Sequence, residues 1–168
     1  MEGIYLRALE PNDIDVLFSI ENDSSLWKYS NRNEPFSRFT LNKYIESQDQ
    51  DLYELKQKRF VLSNKNRTVL GLVDLFDFEP FHRRAGVGIL IVSEFQNKGF
   101  GVEAIKLLEN QCKLFYNMHL LYANIPSENS QSIKLFKKMN FSLIGVKKSW
   151  NYYENSFHDE YLYQKIID

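Results

Sequence analysis

Between an apolar run, Val87 with Ile89 to Val92, and a helix-patterned segment lies the stretch Gln96-Asn97-Lys98-Gly99-Phe100-Gly101. A polar, glycine-bearing turn that leads straight into a helix gathers free backbone N–H groups at one spot. The helix dipole adds positive potential there, so the chemistry it suits is binding of a pyrophosphate. Strand, turn and helix with two glycines is also the ordinary connection of an α/β protein, and the rest of the chain has to decide between the two. A second chemistry-bearing set is acidic. Asp74 and Asp77 fall within one apolar stretch, and in a regular strand they face opposite sides, so only one can face a given cleft unless a bulge intervenes. His82, His119 and His158 show no metal spacing and read as structural or surface groups. The single Cys112, set among apolar neighbours at a helical position, excludes a disulfide framework and a Cys/His metal cluster.

The elements that must position these groups follow from patterning. Tyr5 to Ala8 is a strand candidate, and Glu10-Pro11-Asn12-Asp13 starts a helix buried through Ile14, Leu17 and Phe18. Residues 23–38 read as a loop with at most one helical turn near Ser25 to Tyr29, and Leu41 to Leu55 as a second helical region. Arg59 to Ser63 and Val69 to Phe78 form an antiparallel hairpin, and Ala85 to Val92 returns as a third strand after the turn at Glu79-Pro80-Phe81-His82. The helix after Gly101 places Ala104, Ile105, Leu108, Cys112 and Phe115 on one face. Leu120 to Ile125 then gives a β-α-β unit whose strands run parallel. A short helix over Ser132 to Met139 follows good cap chemistry at Asn129. The strands Phe141 to Val146 and Phe157 to Ile166 are expected to be joined by a long hairpin loop, KKSWNYYENSFHDEY. The fold class is α/β of the α+β kind: one domain over residues 1–168, a mixed sheet of six to seven strands and helices on both faces.

Composition bounds the function. A chain of 168 residues with 43% hydrophobic content closes one core, and a net charge of −1 gives no reason to expect nucleic acid as a partner. No apolar run approaches the roughly 18 residues that span a bilayer, and the start lacks a leader pattern, so the expectation is a cytoplasmic protein with no membrane partner.

In this order of elements the chain resembles the GCN5-related N-acetyltransferase superfamily, whose members move an acetyl group from acetyl-CoA to an amine. Gln96 to Gly101 matches the family's pyrophosphate loop, Q/R-x-x-G-x-G/A. Asn129-x-x-Ser132 with Phe136-Lys137-Lys138-Met139-Asn140-Phe141 matches its N-x-x-(S/A)…(Y/F)-x-K-x-G-F segment. The likeness covers nearly the whole chain. Gly71-Leu72-Val73-Asp74-Leu75, His82-Arg83-Arg84-Ala85 and Phe95 to Gly99 are similar to the spermidine branch, with the ribosomal-protein branch close by.

The resemblance implies acetyl-CoA as co-substrate and no metal. It implies a splayed parallel strand pair, with the thioester along Ile89, Leu90, Ile91 and Val92. The phosphates then lie on Gln96, Asn97, Lys98, Gly99, Phe100 and Gly101, with Asn129, Ser132, Phe136 and Lys138 completing the cofactor side. The acceptor amine reacts only as its neutral form, so an acid near the cleft must bind the cation and relay its proton. By analogy with the spermidine branch those acids are Asp77 and Glu34. One departure matters: Phe136 stands where many relatives carry a tyrosine thought to protonate the thiolate, leaving Tyr122, Tyr152 or water as substitutes. Asn140 replaces a family glycine, which asparagine tolerates. Trp27, Tyr29, Trp150, Tyr152 and Tyr153 fall in the two loops expected to flank the acceptor, where they suit a cation or a dimer contact equally. The leading function is acetylation of a primary amine, with a polyamine such as spermidine as the favoured acceptor. Acetylation of protein N-termini and a CoA-binding regulatory domain with little turnover are the alternatives, and a homo-oligomer is compatible with each.

Overall fold

The computed structural model describes residues 3–30 and 33–168; residues 31 and 32 of the expected early loop, and residues 1 and 2, lie outside them. Seven strands form one sheet in the order β1-β2-β3-β4-β5-β7-β6. They are β1 (Ile4–Ala8), β2 (Lys58–Asn64), β3 (Val69–Glu79), β4 (Arg84–Ile91), β5 (Leu120–Pro126), β6 (Ser142–Tyr153) and β7 (Ser156–Ile166). Neighbours are antiparallel except β4 and β5, which run parallel.

The sheet is covered on both faces. On one, α5 (Phe100–Tyr116) buries Ala104, Ile105, Leu108 and Cys112 against strand residues such as Val73, Leu75 and Leu121. Each large apolar side chain removed from water there contributes about 1.5–3 kcal/mol. The other face carries a smaller cluster in which Leu17 of α1 (Ile14–Glu21) and Leu41 and Ile45 of α3 (Arg38–Ser47) pack on Val61 and Leu72. Between them runs one helical turn, α2 (Ser24–Trp27), with Asp23 accepting from the Ser25 amide at 3.0 Å. The second helical region divides at Gln48 into α3 and a single turn, α4 (Leu52–Leu55). The last helix, α6 (Ser130–Lys138), is capped by Asn129, whose Oδ1 accepts from the Ser132 amide at 3.1 Å.

Two features differ from the sequence expectation. The aromatic and charged stretch after Val146 is strand, not loop: β6 and β7 pair up to Tyr153 and Ser156. They are joined at Glu154 and Asn155, both with positive φ (50° and 59°), the backbone of a two-residue hairpin turn. A bulge with Ser149 at φ 50° lets the long ribbon bend. The second difference is in β3, where Asp77 takes φ 46° and the pairing with β4 slips between Phe76 and Glu79. Phe76 then meets Tyr122 on one face, while Phe78 is buried in the α5 core on the other.

Candidate active site

The site begins where β4 and β5 part. Their parallel register holds only at Arg84 with Leu120, Ala85 with Leu121 and Gly86 with Tyr122, although β4 continues to Ile91 and β5 to Pro126. Beyond Gly86 the β4 edge that would meet β5 is left to another partner, and buried backbone groups without one are costly. Gly86 itself is required by close approach, since a Cβ there would lie 2.2 Å from the Phe76 ring.

At the far end of β4 the Gln96 side-chain Nε2 donates to the Ile91 carbonyl at 3.0 Å and so ties the loop to the strand. Asn97 (φ 59°) and Gly99 (φ 87°) are left-handed, and Gly99 opens α5 with no side chain capping the helix. The amides of its first turn therefore stay available for an anion. Gln131 of α6 reaches the Asn97 side chain at 3.2 Å, and a Cβ on Gly101 would come within 2.9 Å of Leu135, so the starts of α5 and α6 sit close together.

These elements line one cavity of about 750 Å³. Of the residues expected to hold cofactor, Ile89, Leu90, Ile91, Gln96, Asn97, Gly99, Phe100, Gly101, Asn129, Ser132 and Phe136 line it. Val92, Lys98 and Lys138 do not: the Val92 amide is spent on Leu70 at 3.0 Å, Lys98 sits 5.8 Å from the Phe95 ring centre, and Lys138 is exposed at the end of α6. Phe136 is buried and meets Phe141 edge to face at 4.9 Å, presenting only carbon.

The acids fall differently from expectation. Asp77 is outside the cavity lining, at the closed end of the strand pair, where it accepts from the Tyr122 hydroxyl at 2.8 Å. Burial and the Asp77 carboxylate both push the Tyr122 phenol up, so it holds its proton. Glu34 is exposed and is likewise not part of the lining. The acids that line the cavity are Glu21, Asp74 and Glu128. Arg59 joins the first two: its guanidinium donates to both oxygens of Asp74, at 2.6 and 2.8 Å, and to Glu21. Burial alone would push Arg59 down, but the two carboxylates more than offset it and keep the cation charged. The triad carries a net −1.

A second cavity, of about 830 Å³, adjoins the first and shares Trp27, Tyr29, Ser30 and Pro126 with it. Its walls include Trp150, Tyr152, Tyr153, Glu154 and Glu160, so the five aromatic residues expected beside an acceptor do converge. Sequence reasoning did not single out Arg59, Glu21 or Glu128. The available signal was an arginine directly before the apolar run Phe60-Val61-Leu62 and an acid directly before the Asn129 cap. Among the described residues no group of three or more His, Cys, Asp or Glu could hold a metal ion, and no helix is long and apolar enough to cross a membrane.

A parallel strand pair that parts beside an uncapped helix start brings free backbone groups and an anion-binding turn into one cavity, and comparison with known proteins gives the class. The family model described as "Acetyltransferase (GNAT) domain" matches residues 4–142. Among curated proteins, spermidine N(1)-acetyltransferase of Escherichia coli is 30% identical over 143 residues, covering 85% of this chain and 75% of that protein. The ribosomal-protein-serine acetyltransferase of Escherichia coli is 19% identical, covering 99% and 94%. Among solved structures, spermidine N-acetyltransferase from Vibrio cholerae in complex with CoA and spermine superposes with a TM-score of 0.90 at 22% identity, covering 99% of this chain and 97% of that one.

The chain belongs to the GNAT acetyltransferase family. It is an N-acetyltransferase, and its co-substrate is acetyl-CoA.

Proposed function

We propose that this protein, as one domain over residues 1–168, acetylates a polyamine such as spermidine at a primary amine. The observation that carries the reading is the junction of two cavities: one lined by an unpaired strand edge and an open helix start, the other by aromatic rings and acids. The first fits CoA. The amides from Gly99 to Val102 face the pyrophosphate, with Asn97 and Gln131 fixing the loop. The pantetheine arm lies along Ile89 to Ile91 opposite Ala123 to Ile125, where its amides take the place of strand partners. Asn129, Ser132 and Phe136 close the side of the arm, and Lys98 and Lys138 serve only as outlying charge.

The second cavity fits a multivalent cation. Trp27, Tyr29, Trp150, Tyr152 and Tyr153 offer ring faces, and the Glu21–Arg59–Asp74 triad in the adjoining cavity, net −1, supplies negative potential. The 30% identical relative is a spermidine N(1)-acetyltransferase, and the Vibrio cholerae enzyme is in complex with CoA and spermine; both support the same acceptor class. A dodecameric structure of the Vibrio cholerae enzyme supports assembly of this chain with copies of itself. Asp77, held by Tyr122 away from the cavity, and Glu34 would act on the acceptor only through such an assembly or a change of loop.

In the reaction the amine nitrogen attacks the acetyl carbonyl carbon, the C–S bond breaks and the thiolate leaves. No hydroxyl at position 136 protonates it. A thiol with a pKa near 8.5, by analogy with cysteine, leaves without much help, and water supplies the proton. Release of free CoA thiol in a panel of amines tests the proposal: turnover with spermidine well above that with free-N-terminal peptides is expected. Tight acetyl-CoA binding with no turnover on any amine would overturn it, and indifference to spermidine would remove the polyamine.

A further inference from the structure

The boundary between the two cavities is made by side chains that the cofactor site does not use. Glu128, in the loop after β5, lines the inner cavity, and Tyr153, near the tip of β6, lines the outer one. The Tyr153 hydroxyl lies 3.3 Å from Glu128 Oε2, and Nδ1 of His158 lies 2.8 Å from Glu128 Oε1. The imidazole is itself fixed, stacked flat on the Tyr153 ring with centroids 3.8 Å apart and planes 1° apart. Its Nε2 is 2.8 Å from the Ser156 hydroxyl and 3.2 Å from the Tyr153 carbonyl. Three positions from two separate segments thus aim one carboxylate into the place where the amine must pass. The His158 side chain is 13% exposed while that of Glu128 is 51% exposed, so the holder is enclosed and the held group is open to ligand and water.

We propose that Glu128 binds the incoming ammonium and accepts its proton, with His158 as the positioning residue that aims the carboxylate. This rests on the acetyl-transfer reading above. An ammonium N–H proton moves to Glu128, and the neutral amine forms its C–N bond to the acetyl carbon as the C–S bond breaks. The proton then shed by nitrogen reaches the thiolate through water, giving CoA thiol, and Glu128 returns its own proton to solvent. The ionised carboxylate selects the Nδ1–H form of His158, and the Ser156 hydroxyl donates to Nε2. The other groups facing the ring are Tyr153 from β6, whose phenol is pushed up to about 12 by burial and by Glu128, and beyond it Tyr29. Glu154 at the hairpin is matched by Lys28 at 3.4 Å, and Asp159 and Glu160 on β7 are matched by Lys148 and Lys147.

The test measures kcat and KM for spermidine and for acetyl-CoA on the purified full chain, alongside CoA affinity by calorimetry. Glu128→Gln is expected to lower kcat/KM for the amine by about 10²-fold, the low end for positioned acid–base catalysis, with CoA affinity within about twofold. His158→Gln is expected to lower kcat/KM for the amine by about fivefold while leaving KM for acetyl-CoA unchanged. A merely structural role would weaken both substrates alike. Either variant matching the wild type for the amine, or Glu128→Gln losing CoA as fast as amine, overturns the proposal. If the wild type acetylates no amine, the acetyl-transfer reading fails on its own. The station is then judged by spermidine titrated into the CoA-loaded wild type and Glu128→Gln, where equal affinities overturn it and a loss confined to the variant supports it.

Discussion

Two parts of the site are built on different principles. One is backbone: a strand edge without a partner, two left-handed residues, and a helix start with no cap, all within Gly86 to Val102. The other is side chain. Glu21, Arg59, Asp74, Glu128, Tyr153 and His158 come from six separate elements, each held by an ion pair or hydrogen bond to another. A backbone site needs particular glycines and little else, whereas a side-chain site needs every partner present before any one is in place.

The two halves should therefore break differently. The largest effect is expected from Arg59→Ala, which leaves the Asp74 and Glu21 carboxylates facing one another with side chains only 33% and 16% exposed. Removing one member of such a partly buried group should cost about 3 kcal/mol of unfolding free energy, read by urea denaturation, while CoA affinity of the folded fraction stays near normal. Gly99→Val acts on the opposite half. A β-branched residue at φ 87° is strained, the loop must shift, and CoA dissociation should rise by at least about tenfold in calorimetry with under about 2 kcal/mol lost in stability.

Phe136→Tyr sharpens the comparison at the junction. A hydroxyl restored on the cavity wall should raise kcat by up to about tenfold, well below the full worth of positioned acid catalysis, because the thiolate leaves readily unaided. No change in kcat would mean that another step limits turnover. The smallest effect is a control belonging to neither half. Asp13 is buried and accepts two bonds from Arg7, each 2.7 Å. Burial raises its pKa, but the Arg7 bonds outweigh that and hold it below the usual 3.8. Its contribution is complete above that value and is lost as pH falls through the lower folded value. The fall in stability below about pH 4 should accordingly be shallower in Asp13→Asn than in the wild type, read by urea denaturation across that range.

The same division explains what could be read from the chain. The strand-turn-helix from Val87 to Tyr116 was legible because periodicity, glycine placement and anion chemistry are local signals. The family's order of elements followed from them. The hairpin at Glu154 and Asn155 was hidden because it contains no glycine, and left-handed glutamate is a conformation that tertiary pairing imposes. Asp77 was expected by analogy with a family branch; in the structure its carboxylate meets Tyr122 at the closed end of the strand pair, outside the cavity lining, a contact that no pattern within β3 announces. Arg59 meets Glu21 across 38 positions of sequence and His158 meets Glu128 across 30, and no pattern within either segment announces the other.

The point at which β4 leaves β5 also works as a ruler. With the seam closed at Gly86 and the loop after β4 pinned to Ile91 through Gln96, the open length is the five residues Val87 to Ile91. At about 3.3 Å per residue that is roughly 17 Å. One more closed pair would shorten it by a single step of about that rise and one fewer would lengthen it equally. The reach of any arm laid along this edge is thus set in whole residues by a ring, Phe76, stacked where Gly86 has no side chain.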